Sequence, residues 1–467
     1  RDYKVEGYYM LKNTSIENIK SIHIQKLLEE NVRIDSIAFE GGFTTNNQYK
    51  KFDYSIFNLK KALQPGDSVK MYFKQSFTTK GFEQGNSNSN IVYNGTFFNN
   101  EQFPTLGYNK KYELQDEDER RDHNLSKRSK KANIDDSREL VNARSGGDSD
   151  GIQFEMIIGT SKEQTALVPG DLLRKWTANN RNYFHYKTNA PIINFYAIVS
   201  ADYEIKKDKW MTSNKGNPDP VELEIYFQKG HEYNIDRMMR SMKASLDYYS
   251  NNFSRYQYQQ LRIMEFPRYA TFAQSFPGTI PFSESIGFVL DIDDEKDVDM
   301  AFYVTAHEVA HQWFAMQVEA ANVQGQLMVL ETLSQYAAMM VLQQQYSEEK
   351  VQQFLALQMD KYKEGVQKES KEEPSLALVE NQDYVYYAKG AINMYELQKR
   401  IGEENVNKAL KRFLEDWNTT NGKLKLQTDR YATTQDLLGY FREVTPVSQQ
   451  HIVTDLFEKV TPIELDL

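Results

Sequence analysis

The pentapeptide His307-Glu308-Val309-Ala310-His311, set inside the apolar run from Phe302 to Phe314, restricts the fold of this chain more than any other feature. Residues four apart stand one above the other on a helix, so the two imidazoles converge on a single point only if the segment is helical. The apolar flanks then require that helix to be buried. Glu308 projects beside the histidines rather than between them, where a general base can reach a metal-activated water. With seven histidines in 467 residues, and all 66 acidic residues counted as Glu, chance would produce the pattern in roughly one or two such chains per hundred.

The chain has no cysteine, which excludes disulfides and thiolate ligands and leaves His and carboxylate as metal donors. A catalytic zinc takes three protein ligands and keeps one position open. Glu331 is the candidate third ligand, because it is a charge within the apolar stretch Leu327 to Leu342, where a lone carboxylate is costly unless a cation meets it. The link from Glu319 to Gly325 contains Asn322 and Gly325, consistent with an antiparallel return that brings Glu331 over the histidines. Glu319 is the rival ligand, read as a solvated residue at the end of the first helix.

A chain of 467 residues exceeds one hydrophobic core, so two or three domains are expected. Segments such as Ser68 to Gln75, Ile152 to Ile158 and Ile193 to Tyr203 alternate with period two and read as strands. Residues 115–151 carry mixed charge and almost nothing apolar, and read as a mobile insertion; its basic stretch Ser126 to Lys131 reads as solvated loop. The turn formers of Met211 to Pro220 mark a boundary. Beyond it, Val221 to Phe227 reads as a strand, Asn234 to Phe253 as an amphipathic helix, Leu261 to Phe266 and Ile286 to Ile292 as strands, and almost everything after Asp299 as helix. The expected domains are an N-terminal all-β domain (1–215), an α+β catalytic domain (216–400) and C-terminal helices (401–467). A net charge of −10 spread along the chain disfavours a nucleic-acid partner. No apolar run approaches the ~20 residues that cross a bilayer, and the start at Arg1-Asp2-Tyr3-Lys4 suggests an excised soluble part of something longer.

The two histidines on one helix, Glu331 on the next, and His311-Gln312-Trp313-Phe314 together resemble the aminopeptidase N family of gluzincin zinc peptidases. Nineteen residues, Gln312 to Leu330, separate His311 from Glu331, one more than is usual there. The text Gly325 to Ala338, with Glu331-Thr332-Leu333-Ser334-Gln335-Tyr336 in place of the usual Asn-Glu-Gly-Phe-Ala, looks closer to a bacterial branch fused to a membrane permease of the ABC-transporter type. The resemblance implies a thermolysin-like catalytic domain holding one zinc ion, and a C-terminal region cut short relative to the family. It also implies a soluble domain of a membrane-anchored bacterial protein, on the extracytoplasmic side. Tyr386-Tyr387-Ala388-Lys389-Gly390 is similar to the family's Tyr-x-Lys-Gly and places Tyr387 as donor to the tetrahedral oxyanion. Aligning Gly278 and Glu284 with the family pattern puts Ser275 where the family has the Glu that grips the substrate's free amine, and makes these three residues the candidate substrate-binding group. A hydroxyl cannot pair with an ammonium as a carboxylate does, and Glu284, Glu319 and Glu265 are the possible replacements.

Taken together, the expectation is zinc-dependent hydrolysis of peptide bonds through a zinc-activated water, with Glu308 as general base and Tyr387 on the oxyanion. The alternative is a zinc-bearing peptide-binding or regulatory module of a transporter with little or no turnover. A zinc hydrolase of non-peptide substrates has no specific support.

Overall fold

The computed structural model describes residues 2–27, 31–79, 90–92, 94–126, 128, 131–144, 151–212, 220–369, 372–419, 430–461 and 463. By contacts the chain forms two compact units, residues 1–128 and 129–467.

The first unit is built of β1 (Asp2–Lys12), β2 (Ile19–Gln25), β3 (Val32–Phe39), β4 (Phe43–Asn46), β5 (Tyr54–Leu63), β6 (Ser68–Thr78), β7 (Ile91–Val92), β8 (Gly95–Asn99) and β9 (Thr105–Leu106), followed by a short helix α1 (Glu117–Asp122). β6 pairs antiparallel with β1 and β3, and β2 with β5 and β9. The period-two pattern explains β6: Val69, Met71, Phe73 and Phe77 are buried, while Ser68, Tyr72 and Lys74 are exposed.

The second unit opens with further strands: β10 (Gly151–Ile152), β11 (Glu155–Ser161), β12 (Thr165–Leu167), β13 (Asp171–Ala178), β14 (Arg181–Lys187), β15 (Ile192–Ile193) and β16 (Ala197–Ala201). The two long strands expected at Ile152 to Ile158 and Ile193 to Tyr203 are thus each broken into shorter ones. A four-stranded sheet follows in the order β17 (Glu204–Trp210), β18 (Val221–Phe227), β19 (Gln260–Phe266) and β20 (Thr279–Ser283). β18, β19 and β20 run parallel, with α2 (Ile235–Asn252) as the crossover between β18 and β19. Every residue of β19 and β20 is buried. The architecture is an all-β N-terminal part, a mixed catalytic layer, and helices: α3 (Met300–Ala310), α4 (Leu333–Gln345), α5 (Glu348–Lys368), α6 (Gly390–Ile401), α7 (Glu403–Trp417), α8 (Thr434–Val444) and α9 (His451–Val453). No helix among the described residues is long and apolar enough to cross a membrane.

One expected strand is misplaced. Ile286 to Val289 forms turns and 290–292 has no regular structure, because the buried Asn234 side chain donates to the Gly287 and Leu290 carbonyls, both at 2.7 Å. The strand is β20 instead, although it contains Pro281. A missing N–H is tolerated there because β20 is the last strand of its sheet.

Residues 131–144, part of the stretch expected to be mobile, are anchored on the loop between α3 and α4. Ala132 bridges Val323 and Ala143 bridges Ala321, and Ala143, Ala321, Val323 and Tyr431 make a small buried cluster with Ala132, Ile134 and Leu140 against it. Residues 127, 129–130 and 145–150 of that stretch, and 213–219 of the turn cluster, lie outside the described residues. The boundaries at 215 and 400 remain proposals.

Candidate active site

Helix α3 is started by Asp299, whose carboxylate accepts from Phe302 N at 2.9 Å and is itself held by Arg237 at 2.8 Å and the Tyr346 hydroxyl at 2.6 Å. Ala306, Val309, Ala310 and Trp313 are fully buried, which fixes the rotation of the helix. That rotation turns His307 and His311 to one point: their Nε2 atoms are 3.1 Å apart, and each lies 3.3 Å from Glu331 Oε2. Two donors about 2.0–2.1 Å from a tetrahedral zinc would themselves be separated by about 3.3 Å, so the three atoms fit one such ion. The donor chemistry agrees. Glu331 Oε2 is buried between two imidazole nitrogens yet has no hydrogen-bond partner among the described residues. On the far side of the ring, His311 Nδ1 donates to the Phe314 carbonyl at 3.0 Å and lies 3.1 Å from Ser334 Oγ. Its Nε2 lone pair is thereby left for a metal. His307, His311 and Glu331 are therefore the residues that would hold the ion.

Glu331 sits on a π-helical turn, Met328–Thr332, that leads into α4, and Tyr387 sits on another, Tyr384–Lys389, that leads into α6. Such turns are rare and recur at functional sites. The Tyr387 ring lies 5.9 Å from that of His307, and Glu331 is the nearest charge acting on its hydroxyl. Burial, with Glu331 close by, holds the Tyr387 phenol well above its ordinary range, so it keeps its proton and acts only as a donor. Burial likewise raises the Glu308 carboxyl, against the pull of His307 and His311. Glu308 Oε2 is buried without a hydrogen-bond partner among the described residues, the state of a base that waits for a proton from outside the protein. Burial opposes charge on both Glu331 and His311, but their mutual attraction prevails. Glu331 is held well below the carboxylate range, and His311 is raised to about 9.

Ser275 lies next to this helix and is committed to it. Its hydroxyl donates to the Glu308 carbonyl at 2.8 Å and accepts from Gln312 Nε2 at 2.6 Å. Gln312 also donates to the Phe276 carbonyl at 3.0 Å and accepts from Gly278 N at 3.0 Å, so one amide stitches the turn after Ser275 to the turn that ends α3. Gly278 has φ +61°, and a Cβ there would stand 3.1 Å from the Gln260 side chain. Gln312 and Ser334 are contributors that no sequence pattern assigns a role. Their only signal is an amide and a hydroxyl set within apolar stretches of the sequence.

Glu284 joins a second group, with His231 and Glu265, whose ligand atoms lie within 4.8 Å of one another. His231 Nδ1 is bonded directly to Glu265 Oε1, and Glu265 Oε2 accepts from Gln228 N at 2.6 Å. Glu284 Oε1 accepts from Arg268 N at 3.1 Å. These carboxylates have partners without any ion. Glu319, expected as a solvated residue, is instead buried at 3% exposure and paired with Arg144 at 3.3 Å. The anchored segment 131–144 brings that arginine over it.

Residues 233–446 match the profile of the Peptidase family M1 domain. No curated protein matches the chain. Among solved structures it is similar to the M1 zinc metallopeptidase from Deinococcus radiodurans, with a TM-score of 0.64 and 13% identity over 98% of this chain and 91% of that one. A mutant M1 zinc metallopeptidase from that organism bound to a Tyr-Ser-Ala substrate gives 0.62 and 13% over 98% and 91%. A two-domain M1 zinc metallopeptidase mutant bound to L-arginine gives 0.63 and 14% over 98% and 90%. At such identities the likeness speaks for the fold. The family profile speaks for the chemistry: residues 233–446 are a zinc metallopeptidase domain, and zinc is its cofactor.

Proposed function

We propose, from the metallopeptidase domain over residues 233–446, that this chain hydrolyses peptide bonds with little dependence on a free N-terminal amine. The observation that carries hydrolysis is Glu308 Oε2, buried without a hydrogen-bond partner among the described residues, beside the His307, His311 and Glu331 group. Zinc, when bound, would supply Lewis acidity towards the peptide carbonyl and acidify a water molecule. Glu308 takes the proton of the attacking water and returns it to the leaving amine, and its raised affinity for a proton suits both steps. Tyr387, kept neutral, donates to the oxygen on which charge develops.

The weak dependence on a free amine rests on the group around Ser275. Its hydroxyl is neutral and already bonded to Glu308 O and Gln312. Each carboxylate considered as a replacement is engaged elsewhere: Glu319 with Arg144, Glu265 with His231, and Glu284 with Arg268 N. Glu319 and Glu265 are thus committed to side chains, while Glu284 holds a backbone N–H through Oε1. The resemblance of Gly325 to Ala338 also supports placing this domain on the outer side of a bacterial membrane, beside a permease portion of the same polypeptide. Fractionation of cells producing the full-length protein tests that placement.

Function is tested by comparing a free-amine peptide with its N-acetylated form, in the wild type and in Glu308→Gln. Cleavage of both forms at rates within about tenfold, and loss of about 10²–10⁴-fold in Glu308→Gln, is expected. Strong preference for the free amine would restore strict aminopeptidase selection. Full zinc occupancy with no cleavage of either form would instead favour the peptide-binding module, the reading that the neutral Ser275 also motivates.

A further inference from the structure

Glu331 and Tyr387 are 56 positions apart, yet their two π-helical turns touch through one side chain. Thr332, the residue after Glu331, donates from Oγ1 to the carbonyl of Tyr386, the residue before Tyr387, at 2.6 Å. Thr332 is fully buried, so this hydroxyl has no competing water. A π-helical turn shifts the regular backbone ladder and changes which carbonyls find an intrahelical partner, and Thr332 supplies a donor to one of them. Gly390 makes the contact possible. A Cβ at position 390 would stand 2.5 Å from Thr332 Oγ1 and 2.8 Å from Cγ2, so any side chain there would push Thr332 away.

The turn that carries Tyr387 is held at its other end as well. Lys389, fully buried, is paired with Glu373 and donates to the Thr461 carbonyl at 3.2 Å. Asp383 caps the start of the turn through Tyr384 N at 2.8 Å. These anchors fix the turn to the segment that follows α5 and to the C-terminal segment, whereas Thr332 ties it to the residue next to the ligand Glu331.

We propose that Thr332 is a positioning residue: its hydroxyl sets the Tyr387 phenol against the Glu331 carboxylate, so that ligand and oxyanion donor are placed as one unit. The inference rests on the peptidase reading for its kinetic consequence but not for its geometry. Thr332→Val keeps the shape of the side chain and removes the donor; Thr332→Ser keeps the donor; Gly390→Ala displaces Thr332 from the opposite side.

The test has two arms. In the first, a fluorotyrosine is placed at position 387 and its ¹⁹F resonance is read in the zinc-free protein. Thr332→Val and Gly390→Ala should shift or broaden it, and Thr332→Ser should leave it near the wild-type position. In the second arm, Thr332→Val should lower kcat about tenfold, with KM and zinc content unchanged, and Thr332→Ser should recover most of the loss. In the Tyr387→Phe background, Thr332→Val should cost less than about twofold further, because the group it positions is gone.

An unmoved ¹⁹F resonance in both Thr332→Val and Gly390→Ala overturns the proposal. So does a Thr332→Val loss of the same size with and without the Tyr387 hydroxyl, or one that tracks lost zinc. If Thr332→Val fails to fold, Thr332→Ser and Gly390→Ala still decide the first arm. A wild type that binds zinc but cleaves no peptide would defeat the peptidase reading alone, and the resonance would still report on Thr332.

Discussion

Replacing Gln312 by Met tests whether the turn after Ser275 depends on the turn that ends the active-site helix. Gln312 is fully buried, and Met has nearly its volume, so the substitution removes polar contacts with little cavity. Each partner's remaining bonds decide the magnitude. Ser275 keeps its bond to the Glu308 carbonyl, and the Phe276 carbonyl keeps Thr279 N at 3.1 Å. Gly278 N has only Gln312 Oε1 as its acceptor among the bonds described. One orphaned buried N–H costs about 1–3 kcal/mol. At about 1.4 kcal/mol per factor of ten, amide exchange at Gly278 should therefore accelerate by about 5- to 150-fold. Hydrogen exchange read by mass spectrometry on peptides spanning 273–280 measures this directly, with a peptide from the first unit as internal control. Protection at Gly278 within threefold of wild type, in a variant that folds, would show that the turn holds itself and that Gln312 is incidental.

Other perturbations follow from the same contacts. Ala315 is buried with φ 152°, a conformation that costs a non-glycine residue about 1–3 kcal/mol; Ala315→Gly should raise the thermal midpoint by a degree or more, and a lowered midpoint would mean the strain is absent. Glu331→Gln should weaken zinc at least tenfold in competition with a chelating dye, because it removes the only carboxylate of the group, whereas Glu308→Gln should leave the affinity near wild type. Burial, opposed by Arg144, raises Glu319 to about 7, and burial, opposed by Gln228 N and His231, raises Glu265 to about 7. The folded chain therefore binds protons that the unfolded chain releases between about pH 4.5 and 7. That contribution is complete below the unfolded value and is lost as pH rises through 7. Urea midpoints in Glu319→Gln should fall less steeply over that range than in wild type, with Glu265 sustaining the remaining slope; an unchanged slope would count against Glu319 as a contributor.

How far the site can be read from the chain alone differs residue by residue. His307 and His311 were legible because four-residue spacing on an apolar helix is a local property: once α3 is helical and buried, convergence follows. Glu331 was legible for a related reason, since a charge within Leu327 to Leu342 asks for a cation wherever that helix lies. The alternation in β6 and the spacing of buried residues on α2 are equally local. Positions whose environment is assembled by distant segments were not legible. Glu319 looks like a solvated helix end until Arg144, 175 positions earlier, is laid over it by an anchored segment. Ile286 to Ile292 alternates like a strand but is kept from forming one by Asn234, and β20 is a strand despite its proline because it ends a sheet.

The same division runs through the chemistry. Composition and spacing alone determined that this chain could hold a metal between two imidazoles and a carboxylate, with a glutamate beside it. Only the tertiary structure decided that Ser275 spends its hydroxyl on α3, that the candidate substitute carboxylates are each engaged elsewhere, and that Thr332 links the turns of Glu331 and Tyr387. Hydrogen-bond partners are chosen among groups far apart in the chain, and no local periodicity records which of them will meet.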